Sequence, residues 1–263
     1  MSGRTGRRAR LVSAILCTGA ALAGGSVMAR SLEQIRESGS IVLCAHPNSL
    51  PFASKTAAEP GFQVELARAL AVQLGVSLGQ EWIVSPSQVF RSGCDIVLDV
   101  IGDQSVQSES GLQVSKPYYR GGVGLAVRRG SPVHGFADLD EHTKVGVQVG
   151  STAAMLLNRR HVPISTFGFE DEMMDALAAD EIDAAAVTAT VASYFNALHP
   201  EQPVTILPPD DTQPNMAWNL AVGLRRPDAK LREAIDAALD RLRGDGTVSA
   251  IYARYGVDIH PPP

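Results

Sequence analysis

The chain of 263 residues is poor in cysteine, holding only Cys17, Cys44 and Cys94. There is no Cys-x-x-Cys pair and no His-Glu-x-x-His run, and the six histidines are scattered, so no spacing suited to a metal ion is present. The nearest pairing, Cys44 with His46, is two residues and not a site. Charged residues make up 19% of the chain, with no long run of one sign. Low-complexity tracts and short-period repeats are missing as well, which excludes a disordered chain and a solenoid. Aromatic residues are few, at 5%.

What is present begins with one apolar stretch. Arg4, Arg7, Arg8 and Arg10 form a basic start, Leu11 to Ala23 is apolar, and Val27-Met28-Ala29 offers small residues for a cut after Ala29. This is the layout of a cleavable export signal over residues 1–29, preferred to a buried helix or an anchor because the run is short for a bilayer. Arg7-Arg8 leaves a twin-arginine route open beside the general one, and Leu16 before Cys17 disfavours a lipoprotein. Losing four arginines leaves 19 basic against 28 acidic residues, a net charge of −9. That balance excludes nucleic acid as a partner, since nothing neutralises phosphate. Cys44 and Cys94 remain, and an even count in an exported chain favours a disulfide over two buried free thiols.

The chain then alternates short apolar runs with helical patterns. A helix is expected over Ser31–Glu37, a strand over Ile41–Ala45, and a helix over Gly61–Leu74, with Phe62, Leu66, Leu70 and Leu74 in one stripe before Gly75. Strands follow at Trp82–Val84 and Asp95–Leu98. A second series has strands at Val123–Val127, Lys144–Val147 and Ala184–Val187, with helices through Leu157 and over Asp171–Ala179. Asn219–Gly223 reads as a returning strand, and Asp228 caps a last helix whose stripe is Leu231, Ile235, Ala238, Leu239 and Leu242. This is an α/β pattern of two lobes, each a mostly parallel central sheet flanked by helices, joined by two crossovers. Lobe one is expected over residues 30–118 plus 220–263 and lobe two over 124–214, with hinges at 119–123 and 215–219, where Gly121 and Gly122 can absorb rotation. Ligands of such folds sit at strand carboxyl ends and helix N-termini.

Several segments resemble the family 3 extracellular solute-binding proteins. They are Leu50-Pro51-Phe52, Gly61-Phe62-Gln63-Val64-Glu65-Leu66-Ala67, Ser115-Lys116-Pro117-Tyr118-Tyr119, Val145-Gly146-Val147-Gln148-Val149-Gly150-Ser151, and Asp245-Gly246-Thr247 with Ile251-Tyr252-Ala253-Arg254-Tyr255-Gly256. The resemblance implies a type II periplasmic binding fold, a periplasmic monomer that is not an enzyme, no cofactor, and a small solute handed to an ABC-type permease. A narrower similarity joins Leu43 to Phe52, Gly93-Cys94-Asp95-Ile96-Val97 and Lys116 to Arg120 to a subgroup associated with quinoprotein dehydrogenases. That subgroup carries both cysteines, and the similarity implies an alternative partner, a periplasmic PQQ-dependent dehydrogenase. His46 stands where the subgroup usually has Asp.

Amino-acid binders of the family use an Arg for the ligand carboxylate and an Asp for its ammonium. The aligned positions here are Ser108 and Thr188, and no Arg occurs between Arg91 and Arg120. The expected cleft is therefore neutral, lined by Asn48, Ser105, Ser108, Gly150, Ser151, Thr152 and Thr188, with Phe52 as an apolar face. Tight binding of a standard amino acid is then not expected. The alternative keeps amino-acid binding with relocated charge partners, Asp99, Asp103 or Arg120. Ser151 and Thr152 also read as plain helix caps, and Phe52 as core.

Overall fold

The computed structural model describes residues 30–262, except 57, 108, 109, 210–212, 214, 226 and 227. The export signal expected over residues 1–29 and the candidate Ser108 lie outside the described residues. In chain order the first elements are α1 (Leu32–Ser38), β1 (Ser40–Ala45), β2 (Asn48–Ser49), β3 (Ala53–Ser54), α2 (Phe62–Leu74), β4 (Ser77–Trp82), β5 (Ile96–Ile101), α3 (Gln104–Gln107) and β6 (Leu112–Val114). Then come β7 (Tyr119–Val127), β8 (Val145–Gln148), α4 (Thr152–Arg159), β9 (Ile164–Phe167), α5 (Glu170–Ala178), β10 (Ala184–Thr188), α6 (Ala189–Leu198) and β11 (Thr205–Leu207). The chain closes with β12 (Ala217–Arg225), α7 (Ala229–Gly244) and α8 (Thr247–Ala253).

The strands run in the order β4-β1-β5-β12-β7-β10-β8-β9, with β6 added to β12 and β11 to β7. β1 is parallel to β4 and β5, and β8 is parallel to β10 and β9. Between these parallel blocks lie two antiparallel strands of nine residues each, β7 and β12. They pair with one another over 119–122 and 217–220. Beyond that stretch β12 pairs with β5, and β7 pairs with β10. Each therefore passes from one half of the sheet to the other. The result is an α/β fold with a mixed sheet flanked by helices, and its two halves have separate cores. Leu66, Leu70, Ile96, Leu224, Ile235, Leu239 and Tyr252 pack in the first. In the second half Leu125, Val145, Val147 and Leu157 form one cluster, and Met173, Leu177, Ala185 and Phe195 another.

Several expected elements recur within a residue or two. The stripe on α7 is buried as expected, and Asp228 caps that helix by accepting from the Leu231 N–H at 2.8 Å. One strand lies elsewhere: β4 covers 77–82, not 82–84. It is an edge strand with no buried residue, so it lacks the apolar run that marks an interior strand, and its register with β1 fixes it residue by residue. α6 had no expectation at all. Its Thr, Val, Tyr and Phe favour strand, and the helix starts because the Thr188 side chain caps it.

Cys44, on β1, and Cys94, just before β5, are joined in a disulfide with Cα atoms 5.4 Å apart, within the range a bridge needs. Beside it Asp95 is buried and paired. Arg30 donates its Nε to Asp95 Oδ1 at 3.0 Å and a second nitrogen to Oδ2, which also accepts from the Val42 N–H at 2.8 Å.

Candidate functional site

Where β7 crosses β12, glycine is needed for contact. A Cβ on Gly122 would lie 2.4 Å from the Met216 carbonyl oxygen and 2.9 Å from Ala217 Cα, so a side chain there would push the strands apart. Beside this crossing opens a cleft of about 1030 Å³. Ile101, Gly102, Asp103, Gln104 and Val106 line it from the first half, and Gln148, Gly150, Ser151, Thr152, Glu170 and Thr188 from the second. Arg120, Trp218 and Asn219 come from the two crossing strands.

Local structure fixes the polar atoms of the second wall. Gly150 adopts a φ of 73°, turning the chain into α4, where the Ser151 hydroxyl accepts from the Ala154 N–H at 3.1 Å. Thr188 ends β10 and caps α6. It also donates its backbone N–H to Glu170 Oε1 at 3.0 Å and its hydroxyl to Oε2 at 2.7 Å. Burial pushes the Glu170 carboxyl above its ordinary pKa, against the lowering effect of the two Thr188 hydrogen bonds. On the crossing strand, the side-chain oxygen of Asn219 is buried and has no hydrogen-bond partner among the described residues. A buried acceptor left unpaired is costly, which makes Asn219 a candidate to meet a donor in the cleft wall.

Four of the expected residues, Gly150, Ser151, Thr152 and Thr188, share this wall. Ser105 lies between two lining residues, but its hydroxyl and N–H both turn to Asp103 Oδ1, at 2.6 and 2.8 Å. Asn48 is exposed in the small β2-β3 hairpin and does not line the cleft. Phe52 is half-buried, packs against the cores of both halves with its ring 5.1 Å from that of Phe62, and is not among the residues lining the cleft. The expected neutral lining is corrected in one respect, since Asp103, Arg120 and Glu170 all line the cleft. Glu170 was not visible because it lies 18 residues before Thr188 in sequence and reads as a solvated residue of an acidic helix start. Only the parallel pairing of β8 with both β9 and β10 brings the two together.

A second cavity, of about 490 Å³, lies in the first half and is lined mainly by apolar residues, among them Ile83, Val89, Phe90, Val97, Leu98 and Leu112. Its polar wall includes Asp99, which sits at a bulge where β5 falls out of register with β12 and has a φ of 55°. The carboxylate accepts from Tyr118 at 2.6 Å, Tyr252 at 3.1 Å and Gln63 at 2.8 Å. Burial raises its pKa, with those three bonds opposing. No group of three or more His, Cys, Asp or Glu among the described residues could hold a metal ion.

The model of the bacterial extracellular solute-binding proteins, family 3, matches residues 41–258. The chain belongs to this family. The family 3 chain is 26% identical over 219 residues to the lysine/arginine/ornithine-binding periplasmic protein of Escherichia coli, covering 78% of this chain and 83% of that one. It is 23% identical over 242 residues to the membrane-bound lytic murein transglycosylase F of Desulfosudis oleivorans, covering 86% of this chain and spanning only 50% of the transglycosylase. Among solved structures it is similar to an ancestral cationic amino acid solute-binding protein, with a TM-score of 0.73, 23% identity, and coverage of 86% and 99%. That likeness shows the fold. Relatives thus include both binding proteins and an enzyme. No described helix is long and apolar enough to cross a membrane.

Proposed function

We propose that the protein is a periplasmic clamp whose two lobes, 30–118 with 220–263 and 124–214, close by bending at 119–123 and 215–219 over a small solute for an ABC-type importer. The observation that carries this reading is a cleft walled by both halves and floored by both crossing strands. Of the expected ligand residues, Gly150, Ser151, Thr152 and Thr188 remain in the proposed contact set. Arg120, Glu170 and Asn219 join them.

The solute is an amino-acid-like zwitterion, bound through relocated charges. Arg120 with the N-terminus of α4 suits an anionic group, and the Glu170 carboxylate, oriented by Thr188, suits an ammonium. Calorimetry against the twenty amino acids should find micromolar binding for at least one. Glu170→Gln should weaken that binding by about 10- to 100-fold, since a hydrogen bond to a charged group contributes about 1.5–3 kcal/mol. No measurable binding, or an unchanged constant in the variant, sinks the charged-solute reading and restores the neutral cleft. The pH dependence has a definite sign. The ammonium needs an ionised Glu170, so affinity should fall as pH drops through the raised Glu170 pKa, earlier than for an ordinary glutamate.

A second reading, docking to a PQQ-dependent dehydrogenase, is favoured by the Cys44–Cys94 bond, whose cysteines the narrower resemblance shares. Sedimentation of the protein with such a dehydrogenase, showing no complex at micromolar concentration, would end it.

A further inference from the structure

α6 belongs to the second half of the chain, yet one of its faces is seated on the first. Neighbouring side chains on a strand point to opposite faces. On β7, Arg120 lines the cleft, whereas Tyr119 is buried in the first core and does not line it. There the Tyr119 hydroxyl lies 3.0 Å from Thr190 Oγ1 in a buried hydrogen bond. One turn further along α6, the Tyr194 ring centroid is 6.2 Å from that of Tyr255, and Tyr194 packs against the first core. At the next turn Gly256 approaches so closely that a Cβ on it would lie 2.7 Å from Ala197 Cβ and 3.1 Å from the Ser193 oxygen. Thr190, Tyr194 and Ala197 follow the spacing of one helix face. These contacts cross from one half to the other without a covalent link, and none of their residues lines the cleft.

We infer that this face of α6 is a clasp behind the hinge that holds the clamp open, so that Tyr119, Thr190 and Tyr194 set solute affinity without touching the solute. The inference rests on the clamp reading. A cleft of about 1030 Å³ is at or above the upper end of the roughly 300–1,000 Å³ usual for pockets that enclose a ligand. Closure must narrow it. When two bodies rotate about β7 and β12 to narrow the front, their rear faces swing apart, and the clasp contacts are lost. Whatever the clasp contributes to the open form therefore opposes solute-driven closure, because apparent affinity scales with the fraction of molecules in the competent form. The coupling is mechanical. Thr188, which orients Glu170 in the cleft, is the cap of the same ten-residue helix that carries the clasp.

The test uses the solute-free protein. Small-angle scattering is recorded for the wild type, Tyr119→Phe and Tyr194→Ala, together with acrylamide quenching of Trp218, which lines the cleft, in a Trp82→Phe background. Loosening the clasp should reduce the radius of gyration and lower the Trp218 quenching constant by about twofold, as the closed population grows. Profiles that superimpose on the wild type, or that expand, overturn the clasp. Thr190→Val, which removes only the hydroxyl partner, repeats the test if Tyr194→Ala loses its thermal transition. Scattering of the wild type with an amino acid that calorimetry finds to bind tests the clamp itself: compaction there with superimposed variant profiles overturns the clasp alone, and no compaction overturns the clamp.

Discussion

Opening the Cys44–Cys94 bond should destabilise the protein by about 4 kcal/mol. The bond closes a loop of 50 residues, and a loop of that size loses about this much unfolded-state entropy in the chain-entropy model. The packing around it is too small to take over. Cys44, Val89, Cys94 and Leu112 form a satellite cluster, separate from the core that holds α2 and α7. Without the bond, the segment between β4 and β5 is held by Val89 and Ile83 in this cluster, Leu112 beside them, and by the Arg225 guanidinium donating to the Ser92 carbonyl oxygen. Urea unfolding with and without reductant, and of a Cys44→Ala/Cys94→Ala variant, measures the effect. Midpoints that agree within error would show that the satellite cluster alone secures this face.

Arg30→Ala should be strongly destabilising for a substitution outside the cleft. It leaves Asp95, whose side chain is 3% exposed, without its cation. Removing one partner of a buried pair typically costs 3–5 kcal/mol. Arg30 itself is 27% exposed, so water screens the pair and about 3 kcal/mol is expected. For a chain of this size that is a drop of about 6–12 °C in Tm. Asp95→Asn in the Arg30→Ala background should recover part of the loss, because the neutral amide needs no counter-charge. Calorimetric melting of the three proteins decides it. A single variant that melts with the wild type would mean that the Val42 N–H suffices for the carboxylate.

How much of this was legible in the sequence follows from what each feature depends on. Interior strands such as β5 and β10, and the stripe of α7, declare themselves because burial writes a period into the local sequence. β4 and α6 do not. An edge strand needs little apolar surface, and a helix that sets Thr, Val, Tyr and Phe among its alanines carries a mixed propensity. The cleft shows the same division. Gly150, Ser151 and Thr152 are contiguous, and their turn and cap chemistry is local. Glu170 acquires its place only through sheet pairing, so the neutral cleft expected from positions 108 and 188 missed a carboxylate held by position 188 itself.

The placement of β12 bears on the order in which the molecule can be made. As the chain emerges from its amino end, β1, β4 and β5 appear first, and both sulfurs of the disulfide are out by residue 94. Their sheet is nevertheless incomplete, because β12 and α7, which cover β5 and α2, are the last large pieces to arrive. The second half is contiguous and can finish on its own. The first half must wait, its apolar faces uncovered, for about 120 residues of synthesis. The early disulfide is then a temporary splint. It keeps β1 and β5 in reach of each other until the returning strand docks and covers the open edge of β5.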